Sequence, residues 1–170
     1  MSFRVKKSIL VLSVLLLLNI IIYGISLTIT NFGPAKYVVL TVLFILVLLN
    51  VVAFFMNEVI IKEDIVYVRS LYGSRGIKIP EIVEISYIPL KGRILMMLSD
   101  KDKFVFVSSM MDRFGDIVEY LKGRIKDENL LKILNEVRLD VINHKNRMIV
   151  LFLLVLNIVV IGSYIYNFLL

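Results

Sequence analysis

The sequence predicts a membrane protein in which three spanning helices carry a small α+β domain, inserted between the second and third. Hydrophobic residues make up 59% of the 170 residues, and the mean hydropathy is +0.87. A soluble domain sits nearer 45–50% apolar. The charges are also segregated. All 14 Asp and Glu residues fall within 58–140, and the stretches 8–35, 37–57 and 148–170 contain no charged side chain.

Each of the three stretches is long enough to span. A helix rises about 1.5 Å per residue, so about 20 apolar residues cross a hydrocarbon core of about 30 Å. In the first, taken as 8–30, each Leu, Ile, Val or Phe favours insertion by roughly 0.3–0.6 kcal/mol, which together outweighs one central Asn. The spans are expected at 8–30, 37–57 and 148–170. The segment from Asn31 to Lys36 contains Gly33 and Pro34, which stop a helix, so the first two spans are expected to form a tight hairpin. A cleaved signal peptide is the competing reading, but the first apolar run is about twice the usual length of such a segment.

Orientation follows from the short flanks. Arg4, Lys6 and Lys7 precede the first span, and Lys145 and Arg147 precede the third. The hairpin loop has only Lys36, and the C-terminal end has no charged side chain. Positive charge is retained on the cytoplasmic side. The expected protein is therefore a multi-pass protein of the cell membrane. Its N-terminus and residues 58–147 are cytoplasmic, and its C-terminus is outside. The net charge of +6 does not point to nucleic acid, because 57–147 holds 16 basic against 14 acidic residues and the excess lies beside the spans. The absence of cysteine excludes disulfides and thiolate metal sites.

Each span carries one Asn: Asn19, Asn50 and Asn157. Asn19, Tyr23, Ser26 and Thr30 share one helix face by their spacing. No Asp, Glu, Lys, Arg or His lies inside a span, so proton or ion coupling lacks its usual carriers. The three amides are expected to pack helix against helix through interhelical hydrogen bonds.

After Met56 the pattern changes to short strands divided by turns. Strands are expected at 59–62 and 65–69 around a Glu63-Asp64 turn, then at 77–79, 82–88, 94–98 and 104–107. The remaining turns fall at 72–76, 91–93 and 100–103. A helix should start near Ser109, capped by its hydroxyl with Asp112. Phe114, Ile117, Val118, Leu121 and Ile125 supply its apolar stripe. Asp127-Glu128 opens a second amphipathic helix with Leu130, Leu134, Val137 and Val141 on one face. No breaker separates that helix from the third span, although alternation at Val137, Leu139 and Val141 also permits a strand. The organisation expected is a hairpin segment over 1–57, a domain over 58–126, a helical stalk over 127–147 and the last span over 148–170.

This order resembles the pleckstrin-homology-like domains of small bacterial membrane proteins. The segments that carry the resemblance are Ile77-Lys-Ile-Pro-Glu-Ile-Val-Glu-Ile, Ile94-Leu-Met-Met-Leu, Lys103-Phe-Val-Phe-Val-Ser and the helix 114–125. The resemblance implies a curved antiparallel sheet capped by a C-terminal helix. In lipid-binding members, basic residues of the first hairpin hold inositol phosphates. Here that tip is the acidic Glu63-Asp64, so phosphoinositide binding does not carry over. Arg75, Lys78, Lys91 and Arg93 are the basic candidates for contact with anionic lipid or a partner. Met96, Met97, Met110 and Met111 could supply an adaptable surface but suit strand and core packing better.

No catalytic pattern accompanies this fold. His144 is the only histidine and sits between Asn143 and Lys145, and the chain has no P-loop, dinucleotide glycine fingerprint or nucleophile elbow. No cofactor, metal, nucleic acid or specific small molecule is expected. The function expected is that of a non-catalytic membrane adaptor, whose domain binds a protein partner or senses the membrane surface. Alternatively, the chain is an accessory subunit of a membrane transporter or membrane enzyme complex. The bilayer and a protein partner, or a further copy of the chain, are the expected partners.

Overall fold

A computed structural model describes residues 1–29, 34–90, 93–137 and 139–168. Thr30, the loop centred on Asn31 to Gly33, and Lys91 lie outside the described residues. The chain forms mixed α+β structure: two antiparallel sheets, and five helices among the described residues, three of them long and apolar enough to cross a membrane. It divides into two compact units, residues 1–6 with 55–148, and residues 7–54 with 149–170.

The first unit holds both sheets. Strands β1 (Ser2–Arg4), β2 (Glu58–Lys62), β3 (Ile65–Ser70) and β4 (Gly73–Lys78) form one in chain order. Strands β5 (Glu84–Pro89), β6 (Ile94–Ser99) and β7 (Phe104–Ser108) form the other. The single curved sheet expected from the sequence is thus two sheets, and β7 adjoins β3 and β4. The Glu63-Asp64 turn joins β2 to β3 with both residues at positive φ, 48° and 63°, the conformation a two-residue hairpin turn requires. Asp64 then pairs with Arg124 at 2.6 Å.

Strand β1 has no counterpart in the sequence pattern. Phe3 pairs with Val59, and the Ile61 N–H donates to Met1 O at 2.8 Å. Glu58 accepts hydrogen bonds from Ser2 Oγ (2.7 Å) and Arg4 Nε (3.2 Å). The turn expected at 72–76 is also corrected. Residues 73–76 belong to strand β4, and the reversal falls at Leu71 and Tyr72. Its glycines obscured the strand. Gly76 faces Tyr67 across the ladder, and a Cβ there would lie 2.8 Å from the Tyr67 ring, so the bare backbone makes room for the aromatic side chain.

Helix α3 (Phe114–Lys122) starts later than Ser109. The Ser109 hydroxyl instead accepts from the Ile94 N–H at 3.0 Å, which ties the end of β7 to the start of β6. The apolar stripe is as expected: Phe114, Ile117, Val118, Leu121 and Ile125 are all buried. They join Val59, Val66, Ile77, Ile85, Leu98 and Val107 in the core. Met96, Met110 and Met111 are core residues too, whereas Met97 is half-buried on the opposite side of its strand.

The stalk is not one helix. Asp127 caps α4 (Glu128–Asn135) by accepting from the Asn129 and Leu130 N–H groups, and Leu130 and Leu134 bury its inner face. This helix packs on β5 and ends at Glu136, before α5 (Leu139–Phe168) begins. From Leu139 the chain does run unbroken through the third apolar segment. The strand alternative at 137–141 is not adopted, since residues 139 onward are helical. Leu134 is buried, and the continuous helical register that periodicity suggested ends at the C-cap Glu136.

The second unit consists of α1 (Lys7–Ile29), α2 (Pro34–Met56) and the rest of α5. Residues 7–27, 35–56 and 141–167 are the segments long and apolar enough to span. Helices α1 and α2 approach closely at Gly24, where a Cβ would lie 3.0 Å from a Leu40 methyl group.

Two expectations follow. Ile117, fully buried, should cost about 2–5 kcal/mol of domain stability when cut to Ala, measured by denaturant unfolding in micelles. The Glu58 carboxyl is held below its ordinary value of 4.5, first by the Ser2 hydroxyl and then by Arg4. A lowered folded-state value means this contribution is present above the ordinary value and is lost as pH falls below it. Hydrogen-exchange protection of β1, corrected for intrinsic rate, should therefore fall on acidification, and Glu58→Gln should abolish that dependence.

Candidate functional site

In the helical unit the three span amides have different fates. Asn157 is buried on α5, and its Oδ1 accepts from Asn19 Nδ2 on α1 at 2.8 Å. Its own Nδ2 donates to Leu153 O (2.8 Å) and Leu12 O (3.2 Å). One amide therefore joins two helices with each donor and acceptor engaged, which suits an apolar medium where an unmet polar group costs several kcal/mol. Asn50 is not part of this pair. It is exposed on α2 and donates to Leu46 O in its own helix at 2.8 Å. Tyr23 accepts from Asn167 Nδ2 at 3.3 Å, while Ser26 turns back to Ile22 O. Asn19 and Tyr23, on the face predicted by spacing, thus both supply helix-to-helix contact.

The basic candidates are engaged separately. Arg75 lies over the Phe104 ring at 6.0 Å, Lys78 pairs with Glu81 at 2.8 Å, and Arg93 Nη1 approaches Met110 Sδ at 3.8 Å. Lys91 lies outside the described residues. The Lys78 ammonium titrates above its ordinary value because of the Glu81 hydrogen bond, so its charge already has a partner. Arg75, Lys78 and Arg93 thus each contact a different residue.

A different surface emerges on the second sheet. Ile85, Met96, Leu98, Val105 and Val107 point inward and are buried. Alternation then puts Ile88, Leu95, Met97, Phe104 and Phe106 on the outer face. Register sets them side by side, with Met97 opposite Phe106 and Leu95 opposite Ile88. Phe104 and Phe106 are 44% and 39% exposed, and their rings meet edge to face at 5.3 Å. With Arg75 over Phe104, this face combines aromatic, methionine and arginine side chains, the types enriched in protein-binding surfaces. Phe104 and Phe106 read in the sequence only as strand residues. The signal that could have found them is the apolar residue at every position of 104–107, since a strand with one wet face should alternate.

The inner side of the same sheet carries the hydroxyl of the half-buried Tyr87. Tyr87 Oη donates to Met96 Sδ at 3.6 Å, and burial pushes its pKa up, so it remains a neutral phenol. Among the described residues, no three His, Asp or Glu side chains converge as a metal site would need. Compared with known protein families, curated proteins and solved structures, this chain has no match.

The amide geometry yields a comparison between two like substitutions. Asn157→Leu should lower the unfolding free energy in micelles by about 1–2 kcal/mol, since it also strands Asn19. Asn50→Leu, which breaks no interhelical bond within the chain, should leave the same measurement nearly unchanged.

Proposed function

We propose that this chain is a multi-pass protein of the cell membrane whose cytoplasmic, pleckstrin-homology-like domain acts as a non-catalytic adaptor for a protein partner. Seven strands in two antiparallel sheets, followed by helix α3 with a buried apolar stripe, support the pleckstrin-homology-like reading. Three long apolar helices support insertion, and the basic flanks support a cytoplasmic domain. The observation that carries the adaptor role is the outer face of the second sheet. Phe104, Phe106 and Met97 stand there with Arg75 beside them, apolar anchors next to one cation. A partner segment offering apolar side chains and a carboxylate fits this face.

Asn50 favours the accessory-subunit role as a second reading. An amide exposed on a span, bonded only to its own helix turn at Leu46, gains from a hydrogen-bonding helix of another subunit.

Affinity isolation of the full-length protein from detergent-solubilised membranes tests the adaptor role. The double variant Phe104→Ala, Phe106→Ala should capture its specific partner at least about tenfold less than the parent, because buried aromatic anchors contribute about 2 kcal/mol or more each. An identical captured set would refute it. Asn50→Leu should selectively lose membrane-embedded partners. Topology is tested with a single introduced cysteine, since the chain has none. Tyr72→Cys, at a position 95% exposed, should react with an impermeant thiol reagent only after the cells are opened.

A further inference from the structure

Helix α2 carries an exposed seam. Among its described residues only Val51 is buried, whereas Val39, Leu43, Leu46 and Asn50 are all exposed. Successive steps between these four are of four, three and four residues, and Ala53 continues the series. At 3.6 residues per turn the four share a strip about 60° wide. This is heptad spacing, the pattern of a helix that pairs along one line with another helix.

Asn50 is the polar member of the seam. Its Nδ2 donates one N–H to Leu46 O at 2.8 Å, and the amide makes no other hydrogen bond among the described residues. A second N–H and the Oδ1 carbonyl are therefore left unmet. The residue stands six positions, about 9 Å, inside the end of α2 at Met56. In a membrane-inserted chain that depth is hydrocarbon, where no water supplies the missing partners. Helices α1 and α5 meet the same need with each other, through Asn19 Nδ2 and Asn157 Oδ1 at 2.8 Å. The amide of α2 has no such helix within the chain.

We infer that two copies of this chain pair in the membrane as a parallel homodimer through α2, centred on a reciprocal Asn50–Asn50 hydrogen-bonded pair. Copies inserted in one orientation carry Asn50 at one depth, and a two-fold axis between the α2 helices sets the amides face to face. The free N–H of each amide then donates to Oδ1 of the other, so one symmetric pair satisfies all the leftover groups. A single Asn in an otherwise apolar seam fixes register and strand number in this way. Val39, Leu43 and Leu46 pack against their counterparts along the same line, and the small Ala53 lets the backbones approach. A foreign helix would need its own amide at this depth, whereas a second copy always brings one. The inference rests on the insertion reading above and not on the adaptor role, which uses a different face.

The test uses the full-length protein alone in phosphatidylcholine vesicles, where no other subunit is present. Copies labelled with donor or acceptor dye at Tyr72→Cys are mixed, and energy transfer is followed as lipid is added. Transfer should rise linearly with acceptor fraction, as it does for a pair, and fall on dilution. Asn50→Leu should weaken association about tenfold, while Asn50→Gln, which keeps the amide, should retain most of it. At one chain per micelle Asn50→Leu unfolds like the parent, so a lost dimer is not a lost fold. Single cysteines read the seam, since the chain has none of its own. Under mild oxidation in vesicles Leu43→Cys should cross-link two copies, and Ile45→Cys, exposed on the other side of α2, should not. Transfer no greater than random collision gives would overturn the dimer, as would a curved dependence on acceptor fraction. Association unaltered by Asn50→Leu would overturn the amide pair, and cross-linking at Ile45→Cys instead of Leu43→Cys would overturn the seam. Release of the protein from its native membranes by alkaline carbonate would instead remove the insertion premise, a failure read without measuring association.

Discussion

The pairing of β1 with β2 is the constraint on which the remainder depends. Residues 2–4 lie antiparallel to 58–60, held by Met1 O with Ile61 N and by Glu58 with Ser2 and Arg4. The whole helical hairpin α1–α2 is inserted between these two strands. Closing so long a loop costs conformational entropy that grows only slowly with length, so a few backbone bonds and the burial of Phe3 suffice once the helices have formed. The same short segment then continues across the domain. Val5 bridges Met111, Lys6 N–H donates to Met110 O, and Asp112 N–H donates to Arg4 O. Six residues thereby join the first sheet to the approach of α3, which brings Lys6 beside Asp112 and Arg113.

The helical unit obeys a different economy. Its surfaces are largely apolar, so little hydrophobic gradient distinguishes inside from outside, and polar contacts and close backbone approach must select the pairing. Asn157 with Asn19 supplies the first, and Gly24 against Leu40 the second. Asn50 follows neither pattern. The presence of one amide in each span hid this, because membership of a span says nothing about azimuth, and azimuth decides which amide meets another helix.

The candidate site was legible only in part, for reasons particular to each residue. Arg75, Lys78 and Arg93 share turns and strand ends in the chain, but the ladders distribute them, and each finds its own partner. Phe104 and Phe106 read only as strand residues, because strand content alone does not reveal which face is covered. Asn146 carries no motif in the sequence, yet it is buried in the structure. Its partner is Ser109 O, which lies 37 positions away in sequence and accepts from its Nδ2.

What the sequence by itself determined was the location of the apolar segments, the Glu63-Asp64 hairpin, five of the strands and the buried stripe of α3. These follow from local chemistry: helix-length runs without charge, turn residues, and apolar spacing that repeats within a few residues. The tertiary structure alone decided that residues 2–4 form a strand, that 73–78 pair despite their glycines, that α4 packs on β5 and ends before α5, and that one amide bridges two helices while another does not. In each of these the stabilising partner lies far along the chain. Pairing, burial and hydrogen-bond satisfaction are properties of that partner as much as of the residue, and no local pattern contains them.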